Sequence, residues 1–293
     1  MNLFLTVLQV VAPVFLLASI GFVWVKLGFE YRLQFVTRMG MNLAVPALIF
    51  TALMKAEVDP AALNTVVVAT LAAYFAVTLG VFLLLKILGL DSRVYLAPLT
   101  FGNTGNLGLP LALFAFGEEG LAYAVVIFAA MAIYSFTFGI WVISGGGSPL
   151  KVLKEPMVAA TALGGLFLWR GWQTPLFLTN TLELIGQMAI PLMLITLGVA
   201  MARLEFRGVG RAFGLSLAKG AICIAAAVLA GLWFDLAAVP FAVLVLQVTT
   251  PVAVTSYLLA EKYQTDPDAV AGLVVVSTSL SIVVLPVTLA FLL

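Results

Sequence analysis

Uncharged amide and hydroxyl side chains gather at two points inside otherwise apolar stretches of the chain, around residues 102–110 and 247–251. Glycine and proline interrupt the helical hydrogen-bond ladder, so each point predicts a broken helix with freed backbone groups. Amides, hydroxyls and free helix N-termini can together bind a small anion such as a carboxylate without a charged side chain. The candidate binding residues are Asn103, Asn106, Gly108, Pro110, Gln247, Thr249, Thr250 and Pro251.

The residue types that most enzymes need are missing from the sequence. There is no histidine, and Cys223 is the one cysteine. An intrachain disulfide, a Cys/His zinc site and a histidine-based triad or proton relay are therefore excluded. The two polar stretches also contain no aspartate or glutamate. We therefore expect no metal, no cofactor and no enzymatic activity.

Two ionisable residues and two further amides lie inside apolar segments and are candidates for a coupling or structural role. Lys219 lies about ten residues into its segment, roughly 15 Å along a helix, so we expect it to face the protein interior. There it either pairs with a carbonyl or carboxylate or takes part in transport. Glu183 is predicted to be a solvated carboxylate near the membrane interface; if it is buried, it is available for proton coupling. The amides are Asn42 and Gln187.

The composition places these residues in a membrane protein. Of 293 residues, 63% are apolar and 9% are charged, whereas soluble domains carry roughly 25% charged residues. About 20 apolar residues span the hydrocarbon core, and we predict an all-α polytopic protein with ten spans. Their bounds are Leu3–Lys26, Thr37–Met54, Ala61–Leu88, Val94–Phe116, Leu121–Ser144, Leu150–Trp169, Leu176–Ala202, Val209–Phe234, Ala237–Ala260 and Pro267–Leu293.

The distribution of Lys and Arg predicts the orientation, because cytoplasmic loops collect positive charge. The loops after the odd-numbered spans hold eleven of the 14 basic residues, and the opposite side has only Lys55 and Arg170. Both termini are therefore predicted on the non-cytoplasmic side of the plasma (inner) membrane. No basic run is present, so nucleic acid is not an expected partner.

The chain is predicted to consist of two halves, residues 1–144 and 150–293, joined by a glycine-rich linker at 145–149. The segment from Asn42 to Pro46 is similar to the segment that ends at Pro191, 145 residues later. Five spans per half is an odd number, so the halves must insert as an inverted repeat, an architecture typical of secondary transporters. Two further proline pairs recur at nearly the same offset, Pro98 with Pro240 and Pro110 with Pro251.

The same residues resemble the auxin efflux carrier family, which includes PIN-type auxin exporters and bacterial malonate or malate permeases. The resemblance covers essentially the whole chain and implies inverted five-helix repeats, with spans four and nine crossing at Pro110 and Pro251. It also implies that Asn103, seven residues before Pro110, helps to bind the substrate carboxylate. The long central loop of the plant carriers is absent here. The residues that carry the resemblance are Asn42–Pro46, Asn103 with Gly108 and Pro110, Lys154–Pro156, Ala189–Pro191, and Pro251 followed by Ala260–Tyr263.

We therefore predict a secondary active transporter, an efflux carrier or a permease, for small organic anions such as mono- or dicarboxylates. Spans three to five and eight to ten would form a transport domain that moves, like an elevator, against a scaffold of spans one, two, six and seven. The sequence leaves open a uniporter or channel driven by the membrane potential, a symporter coupled to H⁺ or Na⁺, and a homodimer. The expected partners are the organic anion and the lipid bilayer.

Overall fold

The computed structural model describes residues 3–56, 60–145, 156–204 and 209–292. The regular structure in these ranges is helical. One isolated antiparallel bridge is the only pairing of extended backbone in these ranges. The helices are α1 Leu3–Lys26, α2 Leu33–Met39, α3 Val45–Lys55, α4 Pro60–Leu88, α5 Ser92–Thr100, α6 Leu109–Tyr134, α7 Ile140–Ser144, α8 Pro156–Arg170, α9 Leu176–Gln187, α10 Ala189–Arg203, α11 Val209–Trp233, α12 Ala238–Val248, α13 Val254–Lys262 and α14 Pro267–Leu292. Three π-helical turns, Gly40–Ala44, Thr104–Gly108 and Ser135–Gly139, connect neighbouring helices.

Seven helical stretches in the described ranges are long and apolar enough to cross a membrane. The multi-pass, all-helical class predicted from composition is therefore confirmed, while the count of ten spans stays a prediction. The difference has physical reasons. The predicted fourth and ninth spans are each divided into shorter helices, and α8 is only 15 residues long. The start of the predicted sixth span, residues 150–155, and most of the linker lie outside the described residues.

A kink at Gly117 divides the longest stretch. Residues 104–144 form 41 consecutive helical residues, roughly 60 Å at 1.5 Å per residue and too long for a single crossing. Gly117 has φ 65° and ψ −155° inside α6, a conformation that favours glycine. It lies in the predicted connection between spans four and five, so the bend separates those two spans.

The helices pack as two groups. In one group α1 runs along α10, and α3 packs against both α8 and α9; in the other, α4 packs on α11, α6 on α12 and α14 on α11. These interfaces are more extensive than those that join the groups, such as α1 with α14 and α3 with α6. Large apolar side chains, including Phe75, Trp233 and Phe291, remain on the outer surface, where lipid is the expected solvent.

Small residues set the closest helix contacts. A Cβ atom on Gly198 of α10 would collide with the carbonyl oxygen of Ala18 in α1, and one on Gly21 would collide with that of Ile195. In lipid the hydrophobic effect does not drive helices together, so van der Waals packing at small residues holds them instead. The α1–α10 pair is therefore held by backbone-to-backbone approach.

Candidate functional site

Two interruptions of helical structure define the candidate site. After α5 ends at Thr100, residues 101–103 leave the helix before a π-helical turn leads into α6. The second interruption runs from Thr249 to Ala253, between α12 and α13. The glycines of the first stretch and Pro251 in the second account for both breaks, because each weakens the helical ladder.

The interruptions lie against each other and exchange backbone contacts. The Asn103 N–H donates to the Pro251 carbonyl at 2.7 Å, and Gly102 forms an antiparallel bridge with Val252. A side chain at Gly102 would collide with Thr250, so glycine permits the approach. The Val252 N–H in turn donates to the Ser277 hydroxyl at 3.0 Å. Backbone N–H and carbonyl groups that lipid could not hydrogen-bond therefore find partners within the protein.

A cavity of about 130 Å³ lies beside these interruptions. Most of its wall is apolar and includes Phe101, Phe128, Met131 and Met193. Amides and hydroxyls interrupt the apolar wall, and no charged side chain lines it among the described residues. The polar lining residues include Asn103, Asn106, Thr104, Ser135, Thr196 and Thr255.

The cavity extends from the interruptions toward one end of the bundle. Its wall includes Leu33 near the start of α2, Ile143 in α7 and Leu259 in α13. These residues lie near the connections that follow the predicted first, fifth and ninth spans, which belong to the side rich in Lys and Arg. The pocket is therefore on the side that the sequence predicts to be cytoplasmic.

Asn103 presents an unused hydrogen-bond donor at the cavity wall. Its side chain is 5% exposed, and its Nδ2 has no partner among the described residues. The Thr104 hydroxyl is buried and unpartnered in the same way. Buried polar groups are usually hydrogen-bonded, so two unpartnered groups on residues of the cavity wall mark a candidate binding position. Asn106 lines the same cavity and is partly buried.

Six of the eight predicted binding residues lie behind the cavity wall and do not line it. The Thr249 hydroxyl donates to the Val245 carbonyl and the Thr250 hydroxyl to the Gln247 carbonyl, both at 2.7 Å. Threonine hydroxyls in helices commonly bond such carbonyls, so neither is free for a ligand. Gln247 Nε2 donates to the Ala124 carbonyl at 3.4 Å. The six are Gly108, Pro110, Gln247, Thr249, Thr250 and Pro251.

The two prolines also differ in their positions. Pro251 lies inside the second interruption, whereas Pro110 lies in the first turn of α6. Because the π-helical turn at 104–108 runs directly into α6, Pro110 lies inside one helical stretch, where its missing N–H removes one bond of the helical ladder. Gly108, in the turn before Pro110, is in contact with the Gln247 side chain, where a Cβ atom would not fit. These residues adjoin the two interruptions but do not line the cavity.

Several hydroxyl groups at the cavity were not predicted as site residues. Thr196 shares a hydrogen bond of 2.9 Å with the Tyr31 hydroxyl, and Arg203 donates to the Tyr31 carbonyl at 2.6 Å. Burial raises the pKa of Tyr31 above its ordinary value, while the Thr196 hydrogen bond and the Arg203 charge act to lower it. Tyr31 therefore stays protonated at neutral pH. One sequence signal points to Thr196: it lies 145 residues after Thr51, the same offset that relates Pro46 to Pro191 in the predicted repeat.

The four coupling or structural candidates occupy different environments. Lys219 is 3% exposed, as expected of an inward-facing lysine, and Nζ donates to the Thr250 carbonyl at 2.8 Å. Glu183 forms an ion pair with Lys55, and both side chains are partly exposed; its position at the membrane interface stays a prediction. Asn42 lies in the first π-helical turn and Gln187 ends α9; both are exposed and outside the cavity.

The sequence matches known transporters along nearly all of its length. A family described as membrane transport protein matches residues 6–163 and 144–289. An uncharacterized transporter from Methanothermobacter thermautotrophicus is 28% identical over 95% of this chain and 96% of its own length. A second, from Methanocaldococcus jannaschii, is 26% identical over 63% of each chain.

Proposed function

The chain belongs to the auxin efflux carrier family of membrane transport proteins, and on that basis we propose that it is a secondary active transporter of small organic anions. The observation that carries the proposal is the unpartnered Asn103 Nδ2 at the wall of an uncharged cavity. A donor buried in this way has no solvent partner and is ready for a carboxylate oxygen.

Two helix N-termini add to the donors around the cavity. The π-helical turn that begins at Thr104 precedes α6, and its first backbone bonds are donated by Leu107 and Gly108. Residues 104–106 therefore keep N–H groups without intrahelical partners, and all three line the cavity. The start of α13 lines it as well, through Val254 and Thr255. Helix N-termini carry partial positive charge and favour anions.

The lining favours an anion with one carboxylate and an apolar body. Phe101, Phe128 and Met131 would contact the body, while the donors around Asn103 lie in one region of the wall. No charged side chain of the described residues lines the wall, so a second carboxylate would meet only uncharged hydroxyls or apolar side chains, at a cost that buried charges without an ionic partner rarely recover. Within the class of mono- and dicarboxylates, we therefore propose that monocarboxylates bind more tightly.

The packing supports a two-fold inverted repeat of residues 1–144 and 150–293. In the predicted repeat, α1 corresponds to α8 and α3 corresponds to α10, so the α1–α10 contact has its counterpart in the α8–α3 contact. Both contacts are extensive. The equivalent helices α4 and α11 pack on each other. The irregular backbone recurs as well: the π-helical turn at 40–44 and the break at Met188 lie about 145 residues apart. A repeat of this kind gives a protein two related conformations.

The two packing groups suggest which helices move together during transport, because contacts within each group are more extensive than contacts between them. We propose that α4–α7 with α11–α14 move in an elevator-like manner against the scaffold formed by α1–α3 and α8–α10. The site moves with the first group, because both interruptions belong to it. With the termini on the non-cytoplasmic side of the plasma (inner) membrane, the cavity of this structure opens toward the cytoplasm.

A cysteine placed in the cavity tests this orientation. In a Cys223→Ala background, Thr255→Cys should react with a membrane-impermeant maleimide in inside-out vesicles and stay unmodified in right-side-out vesicles. Thr255 lines the cavity and is exposed, and the native Cys223 is buried. Gln173→Cys, exposed between α8 and α9, is the matched control and should show the reverse pattern. Labelling of Thr255→Cys from the opposite side would contradict the assignment.

Transport in proteoliposomes tests the function itself. Purified protein should take up labelled monocarboxylates with saturation, and internal unlabelled substrate should accelerate that uptake by counterflow. Separate gradients of pH, sodium and voltage then identify the driving force and distinguish symport from potential-driven uniport. Steady conductance in planar bilayers without saturation or counterflow would indicate a channel and contradict the carrier.

A further inference from the structure

Lys219 is the one charged residue among the buried residues of the described chain. Its Nζ lies 2.8 Å from the Thr250 carbonyl oxygen and 3.7 Å from Cys223 Sγ. The ion pairs in the described ranges involve Glu30 and Glu183, and both carboxylates pair with other cations. Within the described ranges, the hydrogen-bond partners of this ammonium group are therefore a backbone carbonyl and a sulfur atom, and no carboxylate pairs with it. Its positive charge is only partly compensated within the membrane.

The Thr250 carbonyl connects Lys219 to the candidate site. Thr250 follows the end of α12, where unsatisfied carbonyls carry partial negative charge. The next residue, Pro251, accepts the Asn103 backbone N–H at 2.7 Å. Two hydrogen bonds and two residues therefore separate the ammonium group from Asn103, a distance on the order of 10 Å.

At the 145-residue offset that relates Pro46 to Pro191, the first half has a neutral residue in place of Lys219. Tyr74 of α4 lies 145 residues before Lys219, and Thr78 lies 145 residues before Cys223. Tyr74 is fully buried and stacks on Phe101 of the first interruption, with ring centroids 6.2 Å apart. An aromatic ring can therefore fill this place beside an interruption, and packing alone does not require a lysine. The charge is a feature of the second half.

We propose that Lys219 supplies, from behind the second interruption, the positive charge that the cavity wall lacks. The inference rests on the proposed transport of organic anions. A carboxylate at Asn103 would lie within the field of the ammonium group, and the membrane interior screens such an interaction much less than water does. Lys219 thus acts on the substrate through space and has no contact with it. Selectivity for an anion over its neutral analogue should depend on this residue.

Benzoate and benzamide, which have nearly the same shape and differ in charge, provide the test. In purified full-length protein, Lys219→Gln keeps a donor for the Thr250 carbonyl but removes the charge. It should weaken benzoate binding about tenfold, the effect of a unit charge roughly 10 Å away at an effective dielectric constant of about 20. Benzamide binding should change by about twofold at most, because it carries no charge. Binding is measured by isothermal titration.

Two further variants separate charge from structure. Lys219→Arg keeps the charge and should retain the preference for benzoate, whereas Tyr74→Phe changes the equivalent buried position without altering any charge and should leave the preference intact. Equal weakening of both probes in Lys219→Gln would assign Lys219 a purely structural role and overturn the inference. An unchanged preference for benzoate in that variant would overturn it as well. A wild-type protein that does not prefer benzoate would instead overturn the proposed anion transport.

Discussion

Asn103→Ala should lower the initial rate of carboxylate uptake into proteoliposomes roughly 10- to 100-fold. The substitution removes a buried donor that belongs to a residue of the cavity wall and has no partner in the described protein. A hydrogen bond to a charged group contributes about 1.5–3 kcal/mol, so the loss corresponds to roughly a 10- to 100-fold weaker interaction. Initial uptake rates at a substrate concentration below saturation provide the measurement.

Two variants define what this result means. Asn103→Asp keeps the size of the side chain but adds a negative charge, so it should exclude a carboxylate at least as strongly as alanine does. Asn180→Ala removes the same amide from an exposed position on α9 and should leave uptake unchanged. Normal uptake by Asn103→Ala would remove this residue from the site.

Gly198→Ala should lower the thermal stability of the protein. The added methyl group would collide with the backbone carbonyl of Ala18, which cannot turn aside as a flexible side chain can. Overpacking of this kind costs about 1–3 kcal/mol, so we expect the melting temperature to fall by roughly 2–5 °C. Melting is followed by size-exclusion chromatography with fluorescence detection after heating.

Gly220→Ala is the matched control for this prediction. It makes the same change inside a long helix, but nothing lies within 4 Å of the new Cβ atom. Alanine also favours the helix over glycine by about 1 kcal/mol, so this variant should be as stable as the wild type or more so. If both variants melt like the wild type, the close α1–α10 approach does not limit stability.

Apolar patterning was sufficient to predict the class of fold, but not the course of each helix. The long helices α1, α4, α11 and α14 agree with predicted spans to within one residue at each end, because an uninterrupted apolar run of this length has few alternatives in lipid. Spans four and nine depend on local breaks. Sequence places a break near a glycine or proline, but the residue at which the helix stops depends on tertiary partners such as the Asn103–Pro251 hydrogen bond.

Two of the eight predicted binding residues line the cavity and six do not, while the binding role of all eight stays a prediction. Asn103 and Asn106 line the cavity, but the threonines of the second stretch direct their hydroxyls to their own helix carbonyls. Sequence alone does not show whether a threonine hydroxyl bonds a carbonyl of its own helix or faces a cavity. The hydroxyls of Ser135 and Thr196 reach the cavity from other helices, and only the packing of the bundle brings them there.

The hydrogen bond between Asn103 and Pro251 has a consequence for biogenesis. Ribosomes deliver the first half of the chain to the membrane well before the second, so α5 and the turn after it enter lipid without their partner. An unpaired backbone N–H in hydrocarbon costs several kcal/mol, and α5 has only nine residues, too few to cross alone. The early chain therefore has to keep this region at the interface or beside the insertion machinery. Final insertion of the first half is then delayed until translation of the second half is nearly complete.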